Sequence, residues 1–237
     1  STQGYSSAAS DVYKRQIKER VDKMRYLIVC GGKIDKEFGL NEIKTDGIDA
    51  IIAADSGMDF LYENGVTPDI IVGDFDSTTT NALEYFERKG QTEIRRLNPI
   101  KDDTDTEYAI RLAISEGARS IVLLGATGSR IDHVLGNISL LGIGLESGTD
   151  ISIIDTNNRI RMADKPVTIE KSAQYGRFVS LIALTDDNEV SLKGFKYPVT
   201  DYSFDRFTSL GISNEIVDDH ALIDIHRGKF IIIESKD

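Results

Sequence analysis

The chain has 237 residues, of which 40% are hydrophobic and 28% charged, and its formal net charge is −11. That length suffices for one large domain or two small ones with a buried core. The excess of acids argues against a nucleic-acid surface, which needs clustered Lys and Arg, and no apolar run approaches the length of a membrane span. The single cysteine, Cys30 in RYLIVCGG, excludes an internal disulfide framework and is predicted to be a small buried residue of a cytoplasmic protein.

Residues 1–23 differ from the rest of the chain. They are polar, and STQGYSSAASDVYKRQ lacks the apolar core of a secretory signal. Because a strand-like run follows Met24 at once, we expect translation to start there and residues 1–23 to be a non-native or disordered leader. The alternative is a native amphipathic extension, since IKERVDKM could form a short helix.

From residue 24 to residue 149, apolar runs typical of buried strands alternate with helix-like segments. The predicted strands are RYLIVCGG, IDAIIAADSG, PDIIVGDFDS, EIRRLN and SIVLLGATG. The predicted helices are MDFLYENG (closed by Gly65), TNALEYFERKG (ending at Gly90), DTEYAIRLAISEG and HVLGNISLLGIGLESG. This alternation predicts an α/β domain with a parallel sheet covered on both faces.

From residue 150 the pattern changes to short runs of β type, several of which alternate apolar and polar residues. The runs are ISIID, NRIRMA, PVTIEK, RFVSLIAL, EVSLKGF and ALIDIHRGKFIIIES. Within the last run, HRGK is typical of a hairpin turn. The spacing predicts a second, all-β domain over residues 150–237.

Acids recur where the predicted strands end or in the loops that follow. They are Asp55, Asp74, Asp76, Asp102, Asp103, Asp105 and Asp132. Neighbouring parallel strands lie about 4.8 Å apart, so the carboxyl ends of adjacent strands bring such loops together, where carboxylates repel unless a cation lies between them. A shared metal site is favoured over the alternative that each acid caps a helix. The predicted metal ligands are Asp74, Asp76, Asp102 and Asp105.

The loop GATGSRIDH has the composition of an anion-binding turn. Gly125, Gly128 and Ser129 would let backbone N–H groups approach an anion, and the Arg130 guanidinium matches phosphate oxygens. The loop is not a Walker A motif, because no Gly-Lys-Ser/Thr follows at the required spacing. Together with a predicted Mg²⁺ site it indicates binding of a metal–nucleotide phosphate chain.

Six stretches, in this order, resemble the bacterial type of thiamine pyrophosphokinase. They are DSGMDFLYENGVTPDIIVGDFDS, KDDTDTEYAI, GATGSRIDHVLGNISLL, VSLIAL, GFKYPVTD and LGISNE. The resemblance implies an N-terminal α/β nucleotide-binding domain, a C-terminal β-sandwich domain that binds thiamine, and a homodimer with shared active sites. It also implies transfer of pyrophosphate from ATP to the thiamine hydroxyl, with Mg²⁺, to give thiamine diphosphate and AMP.

The resemblance further implies roles for particular residues. Asp74 and Asp76 would bind metal, with Asp102 and Asp105 completing or supporting that shell, and Asp55 would join these four in the catalytic set. The predicted phosphate-binding residues are Lys101, Thr127, Gly128, Ser129 and Arg130. The predicted substrate-binding residues are Asp132, His133, Ser209, Ser213 and Asn214, of which the last three would reach thiamine from the partner subunit.

Several alternatives stay open at this point. The proton acceptor could be Asp55 or Asp102, and His133 could be a base or a structural residue. Because the chain has no tryptophan, stacking on thiamine would fall to Tyr202, Phe204 or Phe207.

Other functions are also open. A pyrophosphokinase of this fold could act on another alcohol, such as a hydroxymethyl-pterin, or the chain could be an inactive thiamine or nucleotide sensor. DFDST also fits a haloacid dehalogenase-like phosphatase, with Asp74 as nucleophile and Asp76 as general acid, although that reading leaves GATGSRIDH and the β domain unexplained.

Overall fold

The structure is a computed structural model that describes residues 24–75, 81–98 and 103–237. The predicted leader and the predicted site residues Asp76, Lys101 and Asp102 lie outside the described residues. The described chain divides into two compact units. The first comprises residues 24–31 and 40–122, and the second comprises Gly32–Gly39 and Leu123–Asp237.

The first unit contains parallel strands in the spatial order β1, β2, β3, β4. These are β1 (Arg25–Val29), β2 (Ala50–Ala54), β3 (Ile70–Gly73) and β4 (Glu93–Arg96). The helices in this part of the sequence are α1 (Lys36–Ile43), α2 (Gly57–Glu63), α3 (Ala82–Lys89) and α4 (Asp105–Ser115). Strands β1, β2 and β3 are continuous apolar runs because parallel strands are covered on both faces.

Glycines end two of these helices as the sequence predicts. Gly65 follows α2 with φ +68°, and Gly90 caps α3 with φ +62° and donates its N–H to Phe86 O. Both adopt the left-handed conformation that glycine takes without a Cβ penalty. Helix α1 is not among the predicted elements. Its one local signal is Asp35, whose Oδ1 accepts the N–H of Phe38 at 2.9 Å in the manner of an N-cap.

The second unit contains helix α5 (Ile131–Ser147) and strands of two sheets. The run β12, β9, β14, β7, β6 is the antiparallel part of a larger sheet, and the other sheet has the order β11, β10, β13, β8. Their bounds are β6 (Asp150–Ile154), β7 (Asn158–Ala163), β8 (Val167–Glu170), β9 (Phe178–Ala183), β10 (Glu189–Lys193), β11 (Val199–Ser203), β12 (Asn214–Glu215), β13 (His220–Arg227) and β14 (Phe230–Ser235). A short 3₁₀ helix, Lys171–Ala173, follows β8.

Alternating apolar residues of the two sheets form one core. Ile169, Val190 and Ile223 of one sheet join Leu181 and Phe230 of the other in this buried cluster. The two sheets therefore pack as a sandwich. The predicted fold class, an α/β domain followed by a β-sandwich domain, is confirmed, as is the HRGK turn, where Gly228 adopts φ +88° between β13 and β14.

The predicted domain boundary between residues 149 and 150 coincides with a change in strand pairing, because β6 starts at Asp150 and pairs antiparallel with β7. The two compact units instead divide within β5 (Ser120–Leu124). The domain bounds therefore stay a prediction. Among the described residues, no helix combines the length and the apolar character that a membrane crossing requires.

A close backbone contact fixes α2 against β1. A Cβ added to Gly57, the first residue of α2, would collide with the carbonyl oxygen of Val29 and lie 2.6 Å from its carbonyl carbon. Only glycine allows α2 to start this near the strand. Since Asp55 precedes Gly57 by two residues, this contact also sets the position of Asp55.

We expect Gly57→Ala to lower the free energy of unfolding by about 1–3 kcal/mol, the usual cost of overpacking. The free energy of unfolding is measured by urea denaturation, with circular dichroism as the probe. The matched control is Gly136→Ala in α5, where an added Cβ meets nothing within 4 Å, so the helix should gain about 0.5–1 kcal/mol. Equal stability changes in the two variants would contradict the steric argument.

Candidate metal and phosphate sites

Three carboxylates of the first unit converge at one edge of the parallel sheet. Asp55 follows β2, Asp74 follows the neighbouring strand β3, and Asp105 is the first residue of α4. One oxygen of each lies within 4.8 Å of the others, and all three residues are half-buried. The structure therefore brings together Asp74 and Asp105, two of the predicted metal ligands, with Asp55, one of the two predicted proton acceptors.

The backbone around this cluster is constrained at both strand ends. Asp55 donates its N–H to Val72 O at 2.8 Å, and Leu97 donates to Gly73 O at 2.9 Å. Asp55 and Phe75 have φ +49° and +64°. A non-glycine residue in this region costs about 1–3 kcal/mol and persists where the surrounding structure enforces it, most often at functional sites.

Helix α4 delivers Asp105 to the cluster from its N-terminus. The N-cap is Thr104, whose Oγ1 accepts the N–H of Glu107 at 3.2 Å. Asp105 is therefore not the capping residue of this helix, which disfavours the helix-cap alternative for that acid. The N-terminal end of a helix carries partial positive charge, which suits an acidic residue at this position.

The donor set of the cluster fits Mg²⁺. Two unit charges about 4.8 Å apart repel by about 3–4 kcal/mol at an effective dielectric constant of about 20. A divalent cation converts this repulsion into attraction, and hard carboxylate oxygens are the protein ligands that Mg²⁺ takes, together with substrate phosphates. Asp55, Asp74 and Asp105 would hold the ion, and Asp76 and Asp102 lie outside the described residues.

The predicted phosphate loop belongs to the second unit and is anchored along its first half. Gly125 has φ +72° and accepts the N–H of Gly32 at 2.9 Å, and Ala126 O accepts Asn137 Nδ2 at 2.8 Å. Beyond these anchors Gly128 and Ser129 are exposed, immediately before α5 begins. The exposed backbone of this turn is available to an anion.

Arg130 and Asp132 form an ion pair at the start of α5. Arg130 Nη2 lies 2.5 Å from Asp132 Oδ2, and its Nε lies 3.2 Å from Oδ1. The hydrogen bond from Arg130 lowers the pKa of Asp132 to about 2. Asp132 is therefore ionised at neutral pH, and a phosphate that binds Arg130 must compete with it. The neighbouring His133 is exposed.

The predicted thiamine residues of the β domain divide into two kinds. Ser209 and Ser213 are exposed, and Ser213 donates its N–H to Ser180 Oγ at 2.9 Å. Asn214 is buried, and its amide is engaged with the backbone of Tyr197: Nδ2 donates to Tyr197 O at 2.9 Å and Oδ1 accepts Tyr197 N–H at 3.0 Å. The Asn214 side chain thus holds two segments of the unit together.

One of the aromatic candidates is excluded. Phe204 is only 4% exposed and packs edge-on against Phe230 in the sandwich core. A ring whose surface is already covered by core side chains cannot stack on a ligand. Tyr202 is partly exposed and Phe207 is 90% exposed, so these two stay candidates.

A residue that the sequence reasoning misses is Asp155, which accepts a hydrogen bond from Thr127 Oγ1 at 2.8 Å. The available signal is the same one that identifies Asp55 and Asp74. Asp155 follows the apolar strand β6, as those acids follow β2 and β3.

Comparison with known proteins assigns two regions of the chain to the same family. Residues 44–153 match the model of the thiamin pyrophosphokinase catalytic domain, and residues 166–230 match that of the thiamin pyrophosphokinase vitamin B1 binding domain. Thiamine pyrophosphokinase of Bacillus subtilis (strain 168) is 34% identical over 188 residues, which cover 78% of this chain and 87% of that protein.

The chain belongs to the thiamine pyrophosphokinase family. The resemblance inferred from the six stretches is confirmed, and the chain is an enzyme of the diphosphotransferase class. Two solved structures of the family agree with the fold. The crystal structure of the Bacillus subtilis enzyme has a TM-score of 0.81 at 31% identity and covers 90% of this chain and 99% of that one. The Geobacillus thermodenitrificans structure has a TM-score of 0.79 at 29% identity, covering 90% and 98%.

The acid cluster predicts a metal-binding difference between two nearby aspartates. Asp105→Asn should weaken Mn²⁺ binding by about tenfold, because ligand charge sets the affinity of such sites. The binding is measured by electron paramagnetic resonance, with Mg²⁺ as competitor. Asp103 is exposed and is not in the cluster, so Asp103→Asn should change the dissociation constant less than about twofold. Equal weakening in both variants would mean that general negative charge binds the ion.

Proposed function

We propose that this chain transfers pyrophosphate from ATP to the hydroxyl of thiamine, giving thiamine diphosphate and AMP, with Mg²⁺ as cofactor. The observation that carries the proposal is the convergence of Asp55, Asp74 and Asp105 within 4.8 Å in a member of this family. Such an acid cluster suits a substrate that brings a metal ion with its phosphates. A cytoplasmic role in thiamine diphosphate biosynthesis follows from the same proposal.

The reaction forms a bond between the thiamine hydroxyl oxygen and the β-phosphorus of ATP. The bond between the β-phosphorus and the oxygen that bridges to the α-phosphorus breaks, and AMP leaves with that oxygen and its electron pair. The hydroxyl proton passes to a base. Catalysis of this kind consists mainly of positioning and charge neutralisation.

The chain supplies groups for each of these tasks. Asp55, Asp74 and Asp105 would hold Mg²⁺, which supplies charge neutralisation on phosphate oxygens when bound. The backbone of Gly128 and Ser129 and the guanidinium of Arg130 would contact phosphate oxygens, as Lys101 would. Asp55 or Asp102 would accept the hydroxyl proton. Asp132 with a pKa of about 2 is too weak a base at neutral pH, which favours a binding role for it.

We further propose a homodimer in which each active site takes residues from both chains. The segment that would reach thiamine from the partner, from Phe207 to Ile212, exposes apolar side chains. Contiguous exposed apolar side chains are typical of surfaces that are covered in an assembly. Ser209, in that segment, and Ser213, directly after it, are exposed polar groups.

The activity is tested by incubating the protein with ATP, Mg²⁺ and either thiamine or a hydroxymethyl-pterin, and separating the nucleotides by chromatography. With thiamine, we expect AMP and thiamine diphosphate in equal amounts. With the hydroxymethyl-pterin, we expect no AMP. Asp74→Asn should reduce the rate by at least about 10³-fold, because it removes charge that positions the metal. Release of ADP or free phosphate would contradict pyrophosphate transfer, and AMP formed only with the pterin would contradict the thiamine assignment.

Shared active sites are tested by mixing two inactive variants. One carries Asp74→Asn, and the other carries Ser209→Ala with Ser213→Ala, which spare the structural amide of Asn214. After subunit exchange, half of the dimers are mixed and each has one intact site of two, so activity should recover to about a quarter of the unmodified level. Subunit exchange is verified separately with differently tagged chains. Exchange without any recovery would show that each site lies within one chain.

A further inference from the structure

Asp155 is held rigidly at the end of β6. Its Oδ1 accepts the backbone N–H groups of Asn157 and Asn158, each at 2.8 Å, and Asn158 Nδ2 at 3.0 Å. This is an Asx-type turn, in which the carboxylate organises the backbone that follows it. The other oxygen, Oδ2, accepts the hydroxyl of Thr127 at 2.8 Å.

Tyr175 connects Asp155 to a buried ion cluster. The Tyr175 hydroxyl donates to the carbonyl oxygen of Asp155, and the Tyr175 N–H donates to Glu234 Oε2 at 2.9 Å. Glu234 is 0% exposed and is paired with Arg159 at 2.7 Å and with Arg161 at 2.8 Å. A buried carboxylate with this many partners is rigid, because losing any one of them leaves a buried charge undercompensated.

Thr127 is the last anchored residue before the exposed part of the phosphate loop. The loop is fixed at Gly125 by Gly32, at Ala126 by Asn137, and at Thr127 by Asp155. The next residues, Gly128 to Arg130, are exposed. The hydroxyl proton of Thr127 is directed to Asp155, so it cannot be donated to a phosphate oxygen at the same time.

We propose that Asp155 is a positioning residue for ATP, which acts through Thr127 to hold the turn of Gly128–Arg130 in its anion-binding conformation. This inference rests on the proposed role of that turn in binding ATP phosphates. An anionic side chain would repel a phosphate if it contacted one directly, so its contribution is indirect. A turn ordered in advance loses less conformational entropy when the ligand binds.

A double-mutant cycle on ATP binding tests the proposal. The variants are Asp155→Ala, Thr127→Val and the two combined, and the dissociation constant of ATP is measured by calorimetry with Mg²⁺ and without thiamine. Each single variant should weaken ATP binding about tenfold, and the double variant should weaken it no more than Asp155→Ala alone, because Asp155→Ala already removes the hydrogen bond that Thr127→Val removes. Independent effects, which multiply to about a hundredfold, would overturn the proposal.

Further measurements separate positioning from general structural damage. Thr127→Ser restores the hydroxyl and should recover at least half of the affinity lost in Thr127→Val. The matched control is Thr156→Val, which removes the 2.8 Å bond to Asn157 Oδ1 in the same turn but leaves the Asp155 carboxylate intact, and it should change ATP affinity less than about twofold. The KM for thiamine should stay within about twofold in every variant, and a parallel rise in that KM would overturn the proposal.

The outcomes also distinguish this inference from the proposed function. ATP binding that depends on Thr127 and Asp155, in a protein that forms no AMP, would support the positioning role and refute pyrophosphate transfer. AMP formation with unchanged ATP affinity in Thr127→Val would refute the positioning role only. Thr127→Val leaves the Asp155 turn intact, so it decides the question if Asp155→Ala fails to fold. Absence of ATP binding by the unmodified chain would refute both.

Discussion

The repulsion between carboxylates at the end of a parallel sheet is the constraint on which the candidate site depends. Neighbouring strands β2 and β3 end at the same edge, so acids placed directly after them, Asp55 and Asp74, have to lie close together. Helix α4 adds Asp105 at its positive end. The fold thereby accumulates negative charge at one point, and this concentration of carboxylates suits the binding of a divalent cation.

An acid also follows a strand in the second unit, but its neighbours give it a different use. Asp155 lies beside hydrogen-bond donors rather than other acids, so its charge is neutralised by backbone N–H groups and by the Thr127 hydroxyl. In the roles proposed above, the same position after a strand would serve metal binding in one unit and loop positioning in the other. What decides between these uses is the set of groups that the surrounding backbone brings near the carboxylate.

Most of the fold follows from the period and length of the apolar runs. The strands of the parallel sheet, the glycines that end α2 and α3, and the hairpin between β13 and β14 are all local signals. The proximity of Asp55 and Asp74 also follows, because it needs only the adjacency of β2 and β3. Helix α1 lacks a strong apolar face, and the burial of Phe204 and Asn214 depends on partners far along the chain. The sequence next to a residue does not indicate partners that lie far along the chain.

Strand β14 is synthesised last of the strands described above, yet it lies in the middle of its sheet. It pairs with β7 on one side and β9 on the other. Until Ser235 has left the ribosome, both neighbours therefore present open edges, and Arg159 and Arg161 lack the carboxylate that later pairs with them. Open strand edges are templates for association between chains. A chain that stalls before residue 230 would therefore expose both edges, and such edges favour association with other chains.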